Sequence, residues 1–101
     1  MSLFDVEGKV VLVTGGGRGI GKMIAEGFVR QGARVYISSR KKEACDAAAA
    51  ELSSLGPGTC VSLPTDLSTD SGCRHLASLL GEHESKLHVL VNNSGTSWGA
   101  S

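Results

Sequence analysis

Hydrophobic residues follow two alternating patterns along the chain. Short runs rich in valine, isoleucine and leucine occur at residues 9–14, 33–38, 60–63 and 87–91, and such runs are typical of strands buried on both faces of a sheet. The segments between them carry apolar residues three or four positions apart, which is the spacing of an amphipathic helix. The pattern therefore predicts four strands separated by three helices.

The first predicted helix covers residues 19–31. Ile20, Ile24 and Phe28 follow one another at intervals of four residues, so we expect them to form its apolar face. Gly32 stands where a glycine that ends a helix belongs.

The other two helices are predicted from composition and capping residues. The second covers the alanine-rich residues 41–55 and ends before Gly56. The third is expected to begin at Ser68, whose hydroxyl can cap a first turn. Its predicted shared face consists of Leu76, Leu79, Leu80 and His83.

Strands that alternate with helices form βαβ units, and these units give a parallel sheet with right-handed crossovers. The expected fold class is therefore α/β, a doubly wound parallel sheet. The 101 residues suit one domain, with no linker or repeat. The chain ends ten residues after the fourth strand, so we expect residues 1–101 to be one domain that is incomplete at its C-terminus.

A glycine-rich segment, TGGGRGIG, joins the first strand to the first helix at residues 14–21. In a Rossmann-type fold such glycines permit a tight turn and let backbone N–H groups approach a pyrophosphate at the helix N-terminus. The alternatives are a structural turn or an NTPase phosphate loop, but the latter needs a hydroxyl residue where Met23 stands. The residues expected to bind the nucleotide here are Gly15, Gly17, Arg18, Gly19 and Ile20.

The end of the second strand indicates which nicotinamide cofactor is bound. NAD sites usually place an acidic residue there, whereas an arginine accommodates the 2′-phosphate of NADP. This chain has Ser39 and Arg40 at that point and no carboxylate before Glu43. A solvated basic helix start is the alternative, but basic residues are unfavourable there without an anion. We therefore expect NADP, with NAD less favoured, and Arg18 closing on the same phosphate.

Three motifs together resemble the short-chain dehydrogenase/reductase family, particularly its members similar to 3-oxoacyl-carrier-protein reductases. They are the glycine segment, Asp66-Leu67 after the third strand, and Asn92-Asn93-Ser94-Gly95 after the fourth. The resemblance spans essentially the whole chain. It departs from the family only at Ser94, where alanine is usual.

The resemblance implies a role for each motif. The glycine segment would hold the pyrophosphate, and Asp66 and Leu67 would line the adenine pocket. Asn93, Ser94 and Gly95 would run beside the ribose next to the nicotinamide. Two structural alternatives stay open: Asp66 as a carboxylate at a helix start beside Ser68, and the asparagines as a turn.

The implied activity is reversible hydride transfer between NADP(H) and a carbonyl or alcohol. The family's catalytic serine, tyrosine and lysine lie beyond the fourth strand, so we expect no catalytic residue and no small substrate in this chain alone. Tyr36, the single tyrosine, lies in a predicted strand and is interpreted as structural. The alternative function is a catalytically inactive nucleotide-binding or regulatory fragment, and an oligomer of the family's type is doubtful.

Charge and cysteine usage narrow the remaining possibilities. Ten basic and ten acidic side chains cancel, which argues against nucleic acid or an anionic membrane as partner. The three cysteines are widely spaced, and with three histidines they are too scattered for a closed zinc site. Without an apolar leader the chain is expected to be cytoplasmic, with reduced thiols.

Overall fold

Four strands and three helices alternate in the computed structural model of the chain, which describes residues 5–93. The strands are β1 Val10–Thr14, β2 Arg34–Ser38, β3 Thr59–Ser62 and β4 Val89–Asn92. The helices are α1 Gly19–Arg30, α2 Lys42–Ser53 and α3 Asp70–His83. The number and order of the predicted elements are confirmed.

The strands form one parallel sheet in the order β3-β2-β1-β4. One of the two inner strands, β1, is buried along its whole length, as its continuous apolar sequence requires. Val11 and Val13 belong to a buried cluster with α1 and α2, whereas Val10 and Leu12 belong to a second cluster with α3. Helices therefore cover both faces, and the predicted doubly wound fold is confirmed.

The buried face of α1 differs from the predicted one. Ile20 is 64% exposed, and the fully buried residues are Gly21, Ala25 and Val29. Ile24 and Phe28, the other two residues of the predicted face, are only partly buried. The prediction followed the largest side chains, but the buried face of α1 lies one position further along the chain, where Gly21 and Ala25 let the helix approach the sheet closely.

The start of α3 also differs from the prediction. Thr69, not Ser68, caps the helix, and its Oγ1 accepts the N–H of Gly72 at 2.9 Å. Ser68 instead donates both its N–H and its hydroxyl to the carboxylate of Asp66. Because Ser68 binds the carboxylate of Asp66, it does not cap the helix, and Thr69 takes that position instead.

The predicted shared face of α3 is confirmed only in part. Leu76 and Leu80 are buried and Leu79 is half-buried. His83 is exposed, and its ring centroid lies 5.6 Å from that of Tyr36 on β2.

A polar network joins the end of α3 to β2. Tyr36 is buried and donates its hydroxyl proton to Glu84 Oε2, which also lies 2.6 Å from Nη2 of Arg34. Burial, followed by the bond to Glu84, raises the pKa of the Tyr36 hydroxyl. The hydrogen bond from Tyr36 and the bond and charge of Arg34 lower the pKa of the Glu84 carboxyl. Tyr36 is thus engaged in packing, in agreement with its structural interpretation.

Because Glu84 is ionised in this network, we predict that the folded chain loses stability in acid as the Glu84 carboxyl becomes protonated. Because the pKa of Glu84 is lower in the folded chain than in the unfolded chain, its contribution is complete above the ordinary carboxyl pKa of about 4.3. The contribution is lost as the pH falls through the lower, folded value. Urea unfolding between pH 6 and pH 3 should show a steeper loss of stability for the unmodified chain than for Glu84→Gln. The exposed neighbour Glu82 provides the control: Glu82→Gln should behave as the unmodified chain, and equal slopes for all three proteins would contradict the prediction.

Candidate nucleotide-binding site

The carboxyl ends of three strands meet at one edge of the sheet. Thr14 at the end of β1 lies opposite Ser38 on β2 and Asn92 on β4. The loops that follow are joined by backbone bonds, in which Gly15 N–H donates to Ser38 O at 2.7 Å and Thr65 N–H donates to Ser39 O at 3.1 Å. Ligands of open α/β sheets bind in the crevice at this edge.

The glycine segment turns tightly from β1 into α1. Gly15 and Gly19 adopt φ angles of +71° and +63°, in the left-handed region that favours glycine. At Gly21 the reason is space, because an added Cβ would overlap Gly15 O and lie 2.7 Å from Asn93 Nδ2. Two of these glycines therefore shape the turn, and the third lets α1 approach it.

The N-terminus of α1 has the features of an anion-binding helix end. Its first residue follows Arg18, which makes no capping hydrogen bond through its side chain, and the first turn contains no acidic residue. Ile20 is exposed on this turn. Free N–H groups and the helix dipole give such an end partial positive charge, so it can hold the phosphates of a nucleotide.

A basic pocket lies between the glycine segment and the start of α2. It has a volume of about 320 Å³. Its lining residues are Gly15, Gly17, Arg18, Ser39, Arg40, Lys41 and Ala44. Three of these side chains are cationic and none is acidic. Within residues 5–93, Ser39 Oγ is the buried side-chain polar atom that has no hydrogen-bond partner. The pocket therefore combines positive charge with an unused hydroxyl.

A second cavity, of about 400 Å³, adjoins the basic pocket and extends to the loop after β3. Its lining residues are Gly15, Arg18, Ser38, Ser39, Arg40, Thr65, Asp66, Leu67 and Ser68. Leu67 is buried, whereas Asp66 is exposed. Hydrogen bonds from Ser68, followed by the charge of Arg40, lower the pKa of Asp66, so its carboxyl is ionised at neutral pH. Asp66 therefore both lies beside Ser68 at a helix start and lines the cavity.

The asparagines after β4 contact the turn that follows β1. Thr14 Oγ1 donates to Asn92 Oδ1 at 3.0 Å, and Asn93 Nδ2 donates to Gly15 O at 3.4 Å. Ser94 and Gly95, which were also predicted to bind the cofactor, lie outside the described residues. The contacts of Asn92 and Asn93 hold β4 against the glycine segment.

The structure brings most of the predicted residues together. Six of them, Gly15, Arg18, Ser39, Arg40, Asp66 and Leu67, line one cavity, and Gly17 lines the adjoining pocket. Gly19 and Ile20 form the first residues of α1. Five further residues line the two pockets and were not among the predicted site residues: Ser38, Lys41, Ala44, Thr65 and Ser68. Position could have indicated four of them, because each ends a strand or lies in the loop after one, next to a predicted residue, whereas Ala44 lies in α2.

Other kinds of site find no support in the part of the chain that the structure describes. No group of three histidine, cysteine, aspartate or glutamate side chains is placed to hold a metal there. Within the same residues, no helix has both the length and the apolar character needed to cross a bilayer. The thiols of Cys45, Cys60 and Cys73 are free, and burial raises the pKa of Cys60 to about 12.

Known proteins are similar to this chain in sequence and in fold. The family model described as short chain dehydrogenase matches residues 9–101. A rhamnolipids biosynthesis 3-oxoacyl-[acyl-carrier-protein] reductase of Pseudomonas aeruginosa is 53% identical over 97 residues, which are 96% of this chain and 37% of that protein.

Among the solved structures that are similar, two illustrate a match over nearly the whole chain. The Pseudomonas aeruginosa RhlG/NADP active-site complex superposes with a TM-score of 0.86 at 51% identity, covering 93% of this chain and 37% of the other. L-sorbose reductase from Gluconobacter frateurii, complexed with NADPH and L-sorbose, gives a TM-score of 0.85 at 29% identity, covering 97% and 38%.

The parallel sheet and its glycine-rich turn define a Rossmann-type α/β fold with a candidate nucleotide site. Since the family model matches 93 of the 101 residues (9–101), this chain belongs to the short-chain dehydrogenase family, and the resemblance inferred from its motifs is confirmed. The chain spans only 29% to 37% of the length of the curated relatives that it matches.

Because α1 packs closely on the glycine segment, we predict that alanine substitutions at two glycines of this helix, Gly21 and Gly27, change the stability of the chain differently. Gly21→Ala should destabilise the chain, since its methyl group must displace Gly15 or Asn93. At Gly27 an added Cβ meets nothing within 4 Å, so Gly27→Ala should be neutral or should raise stability by up to about 1 kcal/mol. Thermal melting of the two variants measures the difference. Equal melting temperatures would contradict the close approach.

Proposed function

We propose that this chain is the NADP(H)-binding portion of a short-chain dehydrogenase that transfers hydride between NADPH and a carbonyl or alcohol substrate. The observation that carries the proposal is the buried, unpartnered hydroxyl of Ser39 beside Arg18, Arg40 and Lys41. A buried hydroxyl without a partner is unfavourable. A phosphate group in this pocket would accept its proton and neutralise the surrounding cations.

We assign the predicted residues to the parts of the cofactor as follows. Gly15, Gly17, Gly19 and Ile20 at the start of α1 would hold the pyrophosphate. Arg18, Ser39 and Arg40 would hold the 2′-phosphate, and Asp66 and Leu67 would contact the adenine. Asn93, together with Ser94 and Gly95, would run beside the ribose of the nicotinamide.

The preference for NADP over NAD follows from charge. An NAD site places a carboxylate at the end of the second strand to accept from the ribose hydroxyls, but the basic pocket here contains no carboxylate. Asp66 lies in the adjoining cavity, with its Oδ1 bonded to Ser68. The similar structures are described as complexes with NADP and with NADPH, and this supports the same preference.

The chain's own residues would bind and orient the cofactor. The nicotinamide, when bound, supplies or accepts the hydride. Two contacts would fix the end of β4 beside the nicotinamide: the hydrogen bond from Thr14 to Asn92 and the hydrogen bond from Asn93 to Gly15. Carbonyl or alcohol substrates agree with the names of the relatives, a 3-oxoacyl-carrier-protein reductase and an L-sorbose reductase. The three free thiols support a cytoplasmic location.

Nucleotide binding without catalysis is the second candidate function. The single tyrosine of the chain, Tyr36, is bonded to Glu84 and lines neither of the nucleotide cavities. It therefore lacks the position that an acid/base residue needs. Neither function predicts NADPH oxidation by the purified chain alone, so sequencing of the transcript separates them. A longer transcript that encodes a tyrosine and a lysine at tyrosine-x-x-x-lysine spacing favours the first function, and a transcript that stops after Ser101 favours the second.

The proposed cofactor preference predicts a selective effect of Arg40→Ala. The variant should weaken NADPH binding by about 1.5 to 3 kcal/mol, the usual size of a charge-assisted hydrogen bond. NADH, which has no 2′-phosphate, should lose much less. Fluorescence titration of both cofactors measures the two dissociation constants. Arg74 on α3 pairs with Asp70 and lines neither cavity, so Arg74→Ala is the control. Equal losses for NADPH and NADH in Arg40→Ala would contradict the assignment.

A further inference from the structure

Helix α3 approaches the backbone of the loop after β3 most closely at Gly72, beside Asp66. A Cβ at Gly72 would overlap the carbonyl oxygen of Asp66, and it would lie 2.8 Å from the carbonyl carbon of Asp66 and 2.9 Å from Thr69 Oγ1. The backbone of Gly72 is helical and does not have a positive φ. Glycine is disfavoured inside helices, so the need at this position is for space.

Hydrogen bonds fasten the same loop to the first turn of α3. Thr69 Oγ1 accepts the N–H of Gly72 at 2.9 Å and donates to the carbonyl oxygen of Asp66 at 3.3 Å. The N–H and hydroxyl of Ser68 both donate to Asp66 Oδ1, at 3.0 and 2.6 Å. The carboxylate is thus held on one oxygen, and Oδ2 is the oxygen that Ser68 does not use.

The next residue of the loop is held by α3 as well. Leu67 belongs to one buried cluster with Leu76, and its carbonyl oxygen accepts from Cys73 Sγ at 3.6 Å. Asp66 and Leu67 both line the cavity that contains Arg18 and Arg40. A shift of α3 relative to the loop would therefore move two lining residues of the cavity together.

We propose that Gly72 is a positioning residue for the nucleotide site. Its missing side chain lets α3 hold the loop where Asp66 and Leu67 form a wall of the cavity that Arg40 also lines. A methyl group at this position would force the helix and the loop apart. The adenosine end of the nucleotide would then lose contacts, although Gly72 itself touches no ligand. This inference rests on the proposed function.

The test compares two alanine substitutions in α3. Gly81→Ala makes the same change in the same helix, and its Cβ meets nothing within 4 Å. Both variants of the 101-residue chain are titrated with 2′,5′-ADP, which probes the adenosine end, and with inorganic pyrophosphate, which probes the glycine segment. Gly72→Ala should weaken 2′,5′-ADP binding about ten-fold or more, comparable to the loss of one charge-assisted bond. Pyrophosphate binding should be unchanged, and Gly81→Ala should bind both probes as the unmodified chain does.

Equal 2′,5′-ADP affinity in Gly72→Ala and Gly81→Ala would overturn the proposal, as would a parallel loss for both probes. If Gly72→Ala does not fold, Thr69→Val decides: it removes the hydroxyl that bonds both to Gly72 N–H and to the carbonyl oxygen of Asp66, and Thr69 lines neither cavity. The proposal expects weaker 2′,5′-ADP binding with unchanged pyrophosphate binding, and unchanged binding of both probes overturns it. If the unmodified chain binds neither probe, the proposed function fails. The positioning role is then decided by the amide NMR shifts of Asp66 and Leu67, which must change in Gly72→Ala and not in Gly81→Ala.

Discussion

The candidate site at the carboxyl edge of the sheet depends on two close contacts between backbone segments. At each contact a glycine lets a helix pack directly against a loop. Gly21 lets α1 pack against the carbonyl of Gly15, which brings the N-terminus of the helix to the turn after β1. Gly72 lets α3 pack against the carbonyl of Asp66, which places the loop after β3 beside the second cavity. Gly15 and Asp66 both line the second cavity, so the shape of that cavity depends on packing that only glycine permits.

The fold and the cluster of site residues could be predicted because their signals are local. A strand buried on both faces reads as an unbroken apolar run, and β1 is such a strand. Parallel strands joined by helices place their carboxyl ends at one edge. Arg18, Arg40 and Asp66 each follow a strand, so their common cavity follows from topology, although they are far apart in the sequence.

Other features could not be predicted, for physical reasons. The periodicity of α1 emphasises Ile20, but close packing selects the small residues Gly21 and Ala25. The cap of α3 depends on a competition in which Asp66 engages Ser68 and leaves Thr69 to cap. Partners far apart in the sequence, such as Tyr36 and Glu84, leave no local pattern. The cofactor-binding roles assigned to the site residues, including Ser94 and Gly95, stay predictions.

The central claim is that the basic pocket beside Ser39 recognises a 2′-phosphate. Calorimetric titration of the unmodified chain with NADP⁺ and with NAD⁺, under the same salt conditions, tests it most directly, because the two ligands differ by that group alone. NADP⁺ should bind at least about ten-fold more tightly than NAD⁺, the value of one charge-assisted hydrogen bond. The difference should shrink as salt screens the phosphate. Equal affinities, or tighter binding of NAD⁺, would contradict it.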